Sequence, residues 1–462
     1  MRYIRKITAT IALCLAAVPA FAADCNAVDY ATLTGCIQSG NVVHLKADIV
    51  LGVNQRINIS GVSDLTIDGL DNTIRHRIDE TAARFQANSA GSDHFFNVDS
   101  AQRIKIRNIR FDSTPATVQA CVYSASNSNF YSQPACLGSV LVNQSSEVEL
   151  TGNAFSAHKT FQLQIVNSND LTVDGNAFSG AATYGVWTFS PVRQNRVLRI
   201  INNTFSAAGA NAIMLTDAND VWVGGNTFDG NHVLTQYSGY GGGQIVLEDS
   251  TRFDLENVAI TGNVIRGGTS LYANGIEFAN FDVGKALRNV SIAWNRIESN
   301  PSGAIAFDLG NANARVENVS IKNNEFVANG GYKSQVYAKA YNQVFLGNNY
   351  IESTAANVSA GFDGTSPTCV IPAGSDRCSI EIKWNVKLVR GGNLIVTVRE
   401  PGDQSGGKAG RGLFAGFING NGSQVAPWIG RNGAIFELYY ESDYNMQNGW
   451  EAPLASVFVK GI

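Results

Sequence analysis

The hydrophobic and polar positions of this chain repeat one short pattern, apolar-x-apolar-x-x-Asn-x-apolar, in which VELTGNAF at 148–155 is the first complete copy. The repeats place Asn at eight positions: Asn153, Asn176, Asn203, Asn226, Asn263, Asn295, Asn324 and Asn349. Neighbouring Asn residues lie 23 to 37 residues apart. A short and variable period indicates a solenoid, in which each unit buries its apolar face against the next unit.

A second alternating segment follows each copy of the pattern, for example FQLQIV at 161–166, GQIVLE at 243–248 and NGIEFA at 274–279. Alternation with period two is typical of strands, and no segment of the repeats has helical periodicity. The repeats therefore predict coils of parallel strands that stack with a rise of about 4.8 Å. We expect the repeating Asn side chains to point inward and to have a structural role, by hydrogen bonding from coil to coil.

Both ends of the repeat region depart from this pattern. Residues 27–39 have apolar positions at roughly helical spacing, which predicts a short helix that caps the open first edge of the stack. The composition of residues 356–368 predicts a linker. Alternating strands separated by Gly-rich turns then predict a small antiparallel sandwich over residues 369–462.

The first 22 residues have the organisation of a secretory signal peptide, with basic residues, an apolar run and the cleavage-site form Ala20-Phe21-Ala22. We therefore expect a secreted or periplasmic protein, without a membrane span because no later apolar stretch is long enough. Loss of three basic residues with this segment changes the formal net charge from −4 to −7. This acidic balance, with singly scattered basic residues, argues against a nucleic-acid partner.

Six Cys residues follow the signal peptide and fall into three local couples. Because export favours disulfides, we predict the bonds Cys25–Cys36, Cys121–Cys136 and Cys369–Cys378. A zinc site is the alternative, but the spacings of 11, 15 and 9 residues lack the two-residue knuckle of such sites.

The repeats resemble the right-handed parallel β-helix proteins of the pectate lyase-like superfamily, which includes pectate lyases, polygalacturonases, alginate lyases and epimerases, and phage tailspikes. The resemblance covers about residues 37–354 and implies a right-handed coil over residues 23–355, with a polysaccharide as partner. The tail resembles a bacterial immunoglobulin-like domain through its Cys pair, Trp384 and the LFA, GS, APWI and LASV segments, which implies an accessory role. The predicted fold class is all-β: a right-handed parallel β-helix with a short N-terminal capping helix, followed by a small antiparallel β-sandwich.

Aligning the second strands of the repeats predicts two columns of outward side chains. The first column runs Gln164, Trp187, Met214, Val246, Glu277, Ala306 and Tyr337, and the second runs Val166, Phe189, Thr216, Glu248, Ala279, Asp308 and Lys339. Strand spacing would put Glu248 and Glu277 roughly 8 Å apart. Inverting glycosidases hold two carboxyl groups about 6.5 to 9.5 Å apart, with room for a water molecule.

Three interpretations of the acidic cluster remain open. In a glycan-cleaving enzyme, Glu277 would be the acid and Glu248 or Asp308 the base. In a calcium site that includes Asp249, the cation would bridge to a uronate carboxylate, and Lys339 would be the base of a lyase. The third interpretation is a solvated polar face without chemistry.

Aromatic residues near the cluster are candidate platforms for sugar rings. They are Trp187, Phe189, Tyr237, Tyr240, Tyr272 and Tyr337. The alternative is that the loop tyrosines pack against neighbouring coils. The chain lacks the Asp-Asp and Gly-His-Gly motifs of polygalacturonases and the Asp-Pro-His-Asp motif of mannuronan epimerases, and none of its five His lies in either column. The sequence favours an exported hydrolase or lyase of polysaccharides, with a glycan-binding adhesin or matrix protein as the alternative.

Overall fold

The computed structural model describes residues 23–462 with internal gaps. The residues outside the description are 1–22, 53–54, 78–93, 115–137, 158–159, 234–241, 249, 251, 272, 281–284, 310–314, 330–343, 348, 353–356, 364–366, 389–392, 402–411 and 441–452. The predicted signal peptide and the couple Cys121–Cys136 lie outside the described residues.

Each repeat contributes one strand to each of three parallel sheets, as the alternating pattern predicts. In one coil, Phe161–Val166 is followed by Asn169–Asp174 and Ala177–Ser179, and the chain then returns to the first sheet at Tyr184–Phe189. Among the described residues these sheets contain nine, twelve and fourteen strands, and a further sheet has five. Pairing between coils is parallel throughout the repeats, because every coil runs in the same direction.

Within each sheet, the strands are named below in the order in which neighbouring strands pair. The nine-stranded sheet contains Gly303–Leu309, Asn274–Asn280, Gly243–Glu248, Ile213–Leu215, Tyr184–Phe189, Phe161–Val166, Gly138–Asn143, His94–Asp99 and Ile57–Ser60. The twelve-stranded sheet contains Asp24–Ala27, Val42–Leu45, Ser63–Asp68, Gln102–Arg107, Ser146–Thr151, Asn169–Asp174, Asn195–Ile201, Ala218–Gly224, Leu255–Thr261, Ala286–Ala293, Arg315–Lys322 and Val344–Gly347.

The fourteen-stranded sheet begins in the repeats and ends in the C-terminal region. It contains Ile49–Leu51, Thr73–Arg77, Arg110–Thr114, Ala154–Phe155, Ala177–Ser179, Thr204–Ser206, Thr227–Asp229, Val264–Arg266, Arg296–Glu298, Glu325–Val327, Asn349–Glu352, Asn357–Phe362, Cys378–Leu388 and Gly422–Ile429. The five-stranded sheet contains Thr368–Cys369, Ala455–Gly461, Ala434–Tyr440, Leu394–Arg399 and Gly412–Ile418.

The apolar positions of the repeat fill the inside of the coil. Its last apolar residue forms a column in the fourteen-stranded sheet, where the rings of Phe155, Phe178 and Phe205 stack with centroids 4.5 and 4.8 Å apart. These rings are at most 2 % exposed, and the inward aliphatic residues of the other two sheets are likewise buried. Stacking of identical residues on successive coils explains why the pattern recurs along the sequence.

The repeating Asn side chains form the predicted internal ladder, at the turn between the twelve- and fourteen-stranded sheets. Asn226 shows the unit: its Oδ1 accepts from the backbone N of Asn203 at 2.8 Å and from Asn203 Nδ2 at 3.0 Å. Its Nδ2 donates to the Ile200 carbonyl at 2.8 Å and to Asn263 Oδ1 at 3.0 Å. Asn226 is 1 % exposed. The ladder therefore satisfies turn groups that lie out of reach of water.

Replacing Asn226 by Ala is expected to lower the free energy of unfolding by about 1–3 kcal/mol, because the Asn203 amide and the Ile200 carbonyl would remain buried without partners. Urea denaturation followed by circular dichroism measures the change. Gln102→Ala is a matched control, since this exposed side chain donates to Glu147 at the surface. Equal midpoints for both variants and the parent would contradict the structural role of the ladder.

The predicted N-terminal helix is present and covers the first coil. It runs over Tyr30–Cys36, after the N-cap residue Asp29, whose side chain accepts from the backbone N of Thr32 at 2.8 Å. Leu33 and Cys36 are buried against the first coil. The disulfide Cys25–Cys36, which the sequence predicts, ties the helix to the strand Asp24–Ala27. Among the described residues, no helix is long and apolar enough to cross a membrane.

The C-terminal region is the predicted antiparallel sandwich, and it shares a sheet with the solenoid. Within the segment predicted as a linker, Asn357–Phe362 is a strand that pairs with Asn349–Glu352 on one side and Cys378–Leu388 on the other. The Gly and Ser composition that favours a linker does not prevent pairing, because the backbone of the last coil offers an open edge. The predicted disulfide Cys369–Cys378 is also formed.

Candidate functional site

The strands of the nine-stranded sheet pair in the register that the sequence predicts. In the first column, Gln164 pairs with Trp187, Trp187 with Met214, Val246 with Glu277, and Glu277 with Ala306. In the second column, Val166 pairs with Phe189, Glu248 with Ala279, and Ala279 with Asp308. We call the side chains of these two columns the candidate face. The prediction that all of them are exposed is wrong, because Gln164, Thr216, Val246, Glu277 and Ala279 are at most 4 % exposed.

The candidate face also extends over earlier coils, which the sequence reasoning missed. Asn97 pairs with Asn58 and Asp99 pairs with Asn143, in the same two columns as Gln164 and Val166. Asn97 Nδ2 donates to Asn58 Oδ1 at 2.9 Å, and Asn143 Nδ2 donates to Asp99 Oδ1 at 2.6 Å. The alternating segments 94–99 and 138–143 carried this signal, but long insertions separate them from the regular repeats.

Aromatic side chains occupy the middle of the candidate face. The Trp187 ring lies 4.7 Å from Phe161 and 5.2 Å from Phe189, measured between centroids. The Arg252 guanidinium lies 5.0 Å from the Phe189 centroid, a cation–π distance. Trp187 and Phe189 are half-buried, and the buried Trp187 Nε1 has no hydrogen-bond partner among the described residues. These two predicted platforms therefore belong to one packed cluster.

Carboxylates follow the aromatic cluster along the face. Glu277 is 2 % exposed, and its Oε2 accepts from the backbone N of Gly242 at 2.6 Å and from Asn274 Nδ2 at 3.0 Å. Glu248 is half-buried and lies one strand over and two residues along from Glu277. This offset corresponds to roughly 8 Å between the two Cα atoms.

The structure does not describe the remaining predicted site residues in full. Asp308 lies on the strand Gly303–Leu309, in the column of Glu248, but its side chain lies outside the description. Lys339, Asp249, Tyr237, Tyr240, Tyr272 and Tyr337 all lie outside the described residues. Their roles stay predictions.

The predicted calcium site shares these residues. Within the part of the chain that the structure describes, no group of three or more His, Cys, Asp or Glu side chains is arranged to hold a metal ion. Because Asp249 and the Asp308 side chain lie outside that part, the calcium site stays a prediction.

Asp217 is an acidic residue beside the candidate face that the sequence reasoning missed. It lies in the turn that leaves the nine-stranded sheet, accepts from Ser250 Oγ and from the backbone N of Ser190, and is fully buried. Burial raises its pKa, although its hydrogen bonds act in the opposite direction. In the sequence, its position directly after the strand segment NAIMLT could have indicated that it lies close to the candidate face. Its contacts give it a role in closing the turn.

His232 lies off the two columns, as the sequence predicts. It is fully buried, and neither ring nitrogen has a hydrogen-bond partner among the described residues. Burial lowers its pKa from 6.5 to about 4, because the charged imidazolium loses its hydration.

This shift predicts a loss of stability in acid. Between pH 6.5 and 4 the unfolded chain binds a proton at His232 and the folded chain does not. The free energy of unfolding therefore decreases as the pH decreases through this window. The full contribution is about 3 kcal/mol, from about 1.4 kcal/mol per pKa unit. His232→Asn removes the titration and suits the positive φ of 61°. Thermal unfolding between pH 7 and 4 should show a flatter pH dependence in the variant, and parallel curves would contradict the prediction.

Comparison with known proteins supports the fold. A protein-family model described as the right handed beta helix region matches residues 94–260. No curated protein sequence matches the chain.

Three solved structures illustrate the similarity. An endo-xylogalacturonan hydrolase from Aspergillus tubingensis is 13 % identical, with 71 % of this chain and 91 % of that chain covered and a TM-score of 0.51. The GH136 lacto-N-biosidase from Eubacterium ramulus is 9 % identical, with a TM-score of 0.46, over 70 % of this chain and only 60 % of that enzyme's length. PfbA, a surface adhesin of Streptococcus pneumoniae, is 13 % identical over 77 % of this chain and 87 % of that chain, with a TM-score of 0.43. At these identities the similarity concerns the fold alone. The family model over residues 94–260 and the first of these structures support a right-handed parallel β-helix.

Proposed function

We propose that the protein is exported and acts on a polysaccharide that lies along the candidate face. The observation that carries this proposal is the register of the nine-stranded sheet, which aligns amides, aromatic rings and carboxylates along one face. Eight steps of about 4.8 Å between its nine strands give a face about 38 Å long. Amide groups can bond to hydroxyls, and rings such as Trp187 can pack against the apolar side of a sugar.

Glycan cleavage is the activity that fits the carboxylates best. Glu277 would donate a proton to the glycosidic oxygen as the bond from that oxygen to the anomeric carbon breaks. Glu248 or Asp308 would take a proton from the water that attacks the anomeric carbon on the opposite side of the ring. The offset of roughly 8 Å between the Cα atoms of Glu248 and Glu277 is compatible with carboxyl groups about 6.5 to 9.5 Å apart, the separation that accommodates such a water in inverting enzymes. In a lyase, Lys339 would be the base and a calcium ion would neutralise a uronate carboxylate.

Binding without cleavage is the second candidate, and the surroundings of Glu277 favour it. This side chain is 2 % exposed and accepts two N–H hydrogen bonds at one oxygen, which also suits a carboxylate that only positions the segment beginning at Gly242. On this alternative the protein is an adhesin or matrix protein, and the candidate face binds glycan without changing it.

Incubation with a panel of acidic and neutral polysaccharides, with calcium or with a chelator, tests the proposal. New reducing ends without ultraviolet absorbance of an unsaturated product indicate hydrolysis, and both signals together indicate a lyase. Binding in a sedimentation assay without either signal indicates the adhesin. Absence of both binding and cleavage across the panel would contradict a polysaccharide function.

A further inference from the structure

We propose that the C-terminal sandwich carries a second, separate binding site for a carboxylate-bearing saccharide. One end of the sandwich contains a cavity of about 540 Å³, within the range of about 300–1,000 Å³ that is usual for ligand sites. The residues that line it include Asp376, Arg377, Arg399, Glu400, Trp428 and Arg431. None of them belongs to the candidate face of the solenoid.

The walls of this cavity are held in place by local constraints. The disulfide Cys369–Cys378 closes the segment that carries Asp376 and Arg377, and Cys378 Sγ lies 3.3 Å from the carbonyl oxygen of Ile429. The opposite wall is a turn in which the backbone N of Gly433 donates to the Gly430 carbonyl at 2.9 Å. Gly433 has a φ of 76°, and an added Cβ would lie 2.3 Å from the Val459 carbonyl oxygen, so only Gly fits there. A fixed cavity loses little entropy when it binds a ligand.

Trp428 provides an aromatic surface at the cavity. Its ring packs on Phe436 and Phe414, with centroids 6.0 and 6.4 Å away, and 39 % of the residue remains exposed. The C–H side of a sugar ring is a partner of suitable shape and polarity for an indole.

The charges at the cavity select a sugar acid. Arg399 is already paired with the buried Glu437, at 3.0 Å. Arg431 forms no ion pair with any described residue. Arg377 has only a 3.9 Å contact with Asp376, and the side chains of Arg377 and Asp376 are both exposed. A guanidinium binds a carboxylate through two parallel hydrogen bonds, so Arg377 and Arg431 are suited to the acid group of a uronate.

The two acidic side chains narrow the ligand class further. Asp376 and Glu400 line the same cavity and would repel a ligand that places several negative charges within it, such as a nucleic acid or a polyphosphate. They can accept hydrogen bonds from hydroxyl groups. A sugar unit with one carboxylate, several hydroxyls and an apolar ring face matches this lining. The carboxylate would bind the arginines, the hydroxyls would donate to Asp376 and Glu400, and the ring face would pack against Trp428. Such a site would bind a single uronate unit of a polysaccharide and so keep the polymer attached to the protein, whether or not the solenoid cleaves it.

Equilibrium binding to the full-length protein tests this proposal, with fluorescently labelled trigalacturonate as the acidic probe and maltotriose as the neutral one. Arg377→Ala with Arg431→Ala is expected to weaken trigalacturonate binding at least tenfold, and Trp428→Ala should do the same. Trp428→Phe retains the packing against Phe436 and reports whether loss of folding explains the Ala result. Matched controls are Arg315→Ala, at an exposed surface pair with Glu317, and Trp294→Ala, at an indole that is 68 % exposed on the solenoid.

The outcomes separate this site from the candidate face. Unchanged affinity in the double Arg variant, or equal affinity for maltotriose, would overturn the proposal. Retained trigalacturonate binding in Glu277→Gln and Trp187→Ala supports a site apart from the solenoid, even if the solenoid proves inactive. Loss of binding in those two variants, with the double Arg variant unaffected, would place the ligand on the candidate face instead.

Discussion

Replacing Glu277 by Gln is expected to lower the rate of glycan cleavage by about 10²–10⁴-fold, the usual contribution of a general acid. Gln has nearly the same shape, and its carbonyl oxygen can still accept from Gly242 and Asn274, so the fold should remain. Gln cannot donate the proton that the leaving oxygen needs. Initial rates of reducing-end release, at saturating polysaccharide, measure the effect.

Two further variants make this result specific. Glu248→Gln should give a loss of similar size if Glu248 is the base of an inverting pair, whereas a nearly unchanged rate would assign the base to Asp308. Glu149→Gln is the matched control, because Glu149 is exposed on the twelve-stranded sheet and pairs with Lys105. A lower melting temperature of Glu277→Gln with an unchanged rate would make Glu277 structural and would reject its role as the acid.

Replacing Glu437 by Ala is expected to destabilise the sandwich by about 3–5 kcal/mol, the usual cost of breaking a buried ion pair. The Arg399 and Glu437 side chains are 2 % and 0 % exposed, and Arg399 Nε lies 3.0 Å from Glu437 Oε1. Tyr439 Oη also donates to Glu437, at 3.2 Å. Without Glu437 the Arg399 charge would stay buried without its carboxylate. Urea denaturation, followed by fluorescence of the C-terminal Trp residues, measures the change.

A second variant distinguishes the ion pair from simple packing. Replacing both members, as Arg399→Met with Glu437→Leu, should recover much of the stability, because an apolar pair of similar volume needs no compensating charge. Glu317→Ala, which breaks the exposed pair with Arg315, should have little effect. A loss no larger in Glu437→Ala than in Glu317→Ala would show that the buried pair contributes little.

The sequence predicted the solenoid well because its information is local and repeated. The alternation around Asn226 and its equivalents determines which residues point inward, and a slip of one residue would expose the whole apolar set. The same alternation predicted the register that aligns Trp187 with Gln164 and Glu277 with Val246. The neighbouring Cys couples likewise predicted the two disulfides that the structure describes.

Other features were out of reach of sequence reasoning because they depend on contacts between distant segments. The strand Asn357–Phe362 has the composition of a linker and becomes a strand only because edges are available on both sides. The Glu277 carboxylate accepts a hydrogen bond from the backbone of Gly242, which lies 35 residues earlier. The earlier coils of the candidate face were missed because insertions separate Asn97 and Asn143 from the regular repeats.

By itself, the sequence determined the β-helix, the inward Asn ladder, the capping helix, the C-terminal sandwich and the two disulfides that the structure describes. These features follow from short-range periodicity and from residues near each other in the chain. Only the tertiary structure decided how much of each side chain in the two columns is exposed, how the sandwich continues a sheet of the solenoid, and that Trp428 and three arginines line one cavity. Each of these depends on long-range packing, which brings together loops that the sequence pattern leaves unrelated.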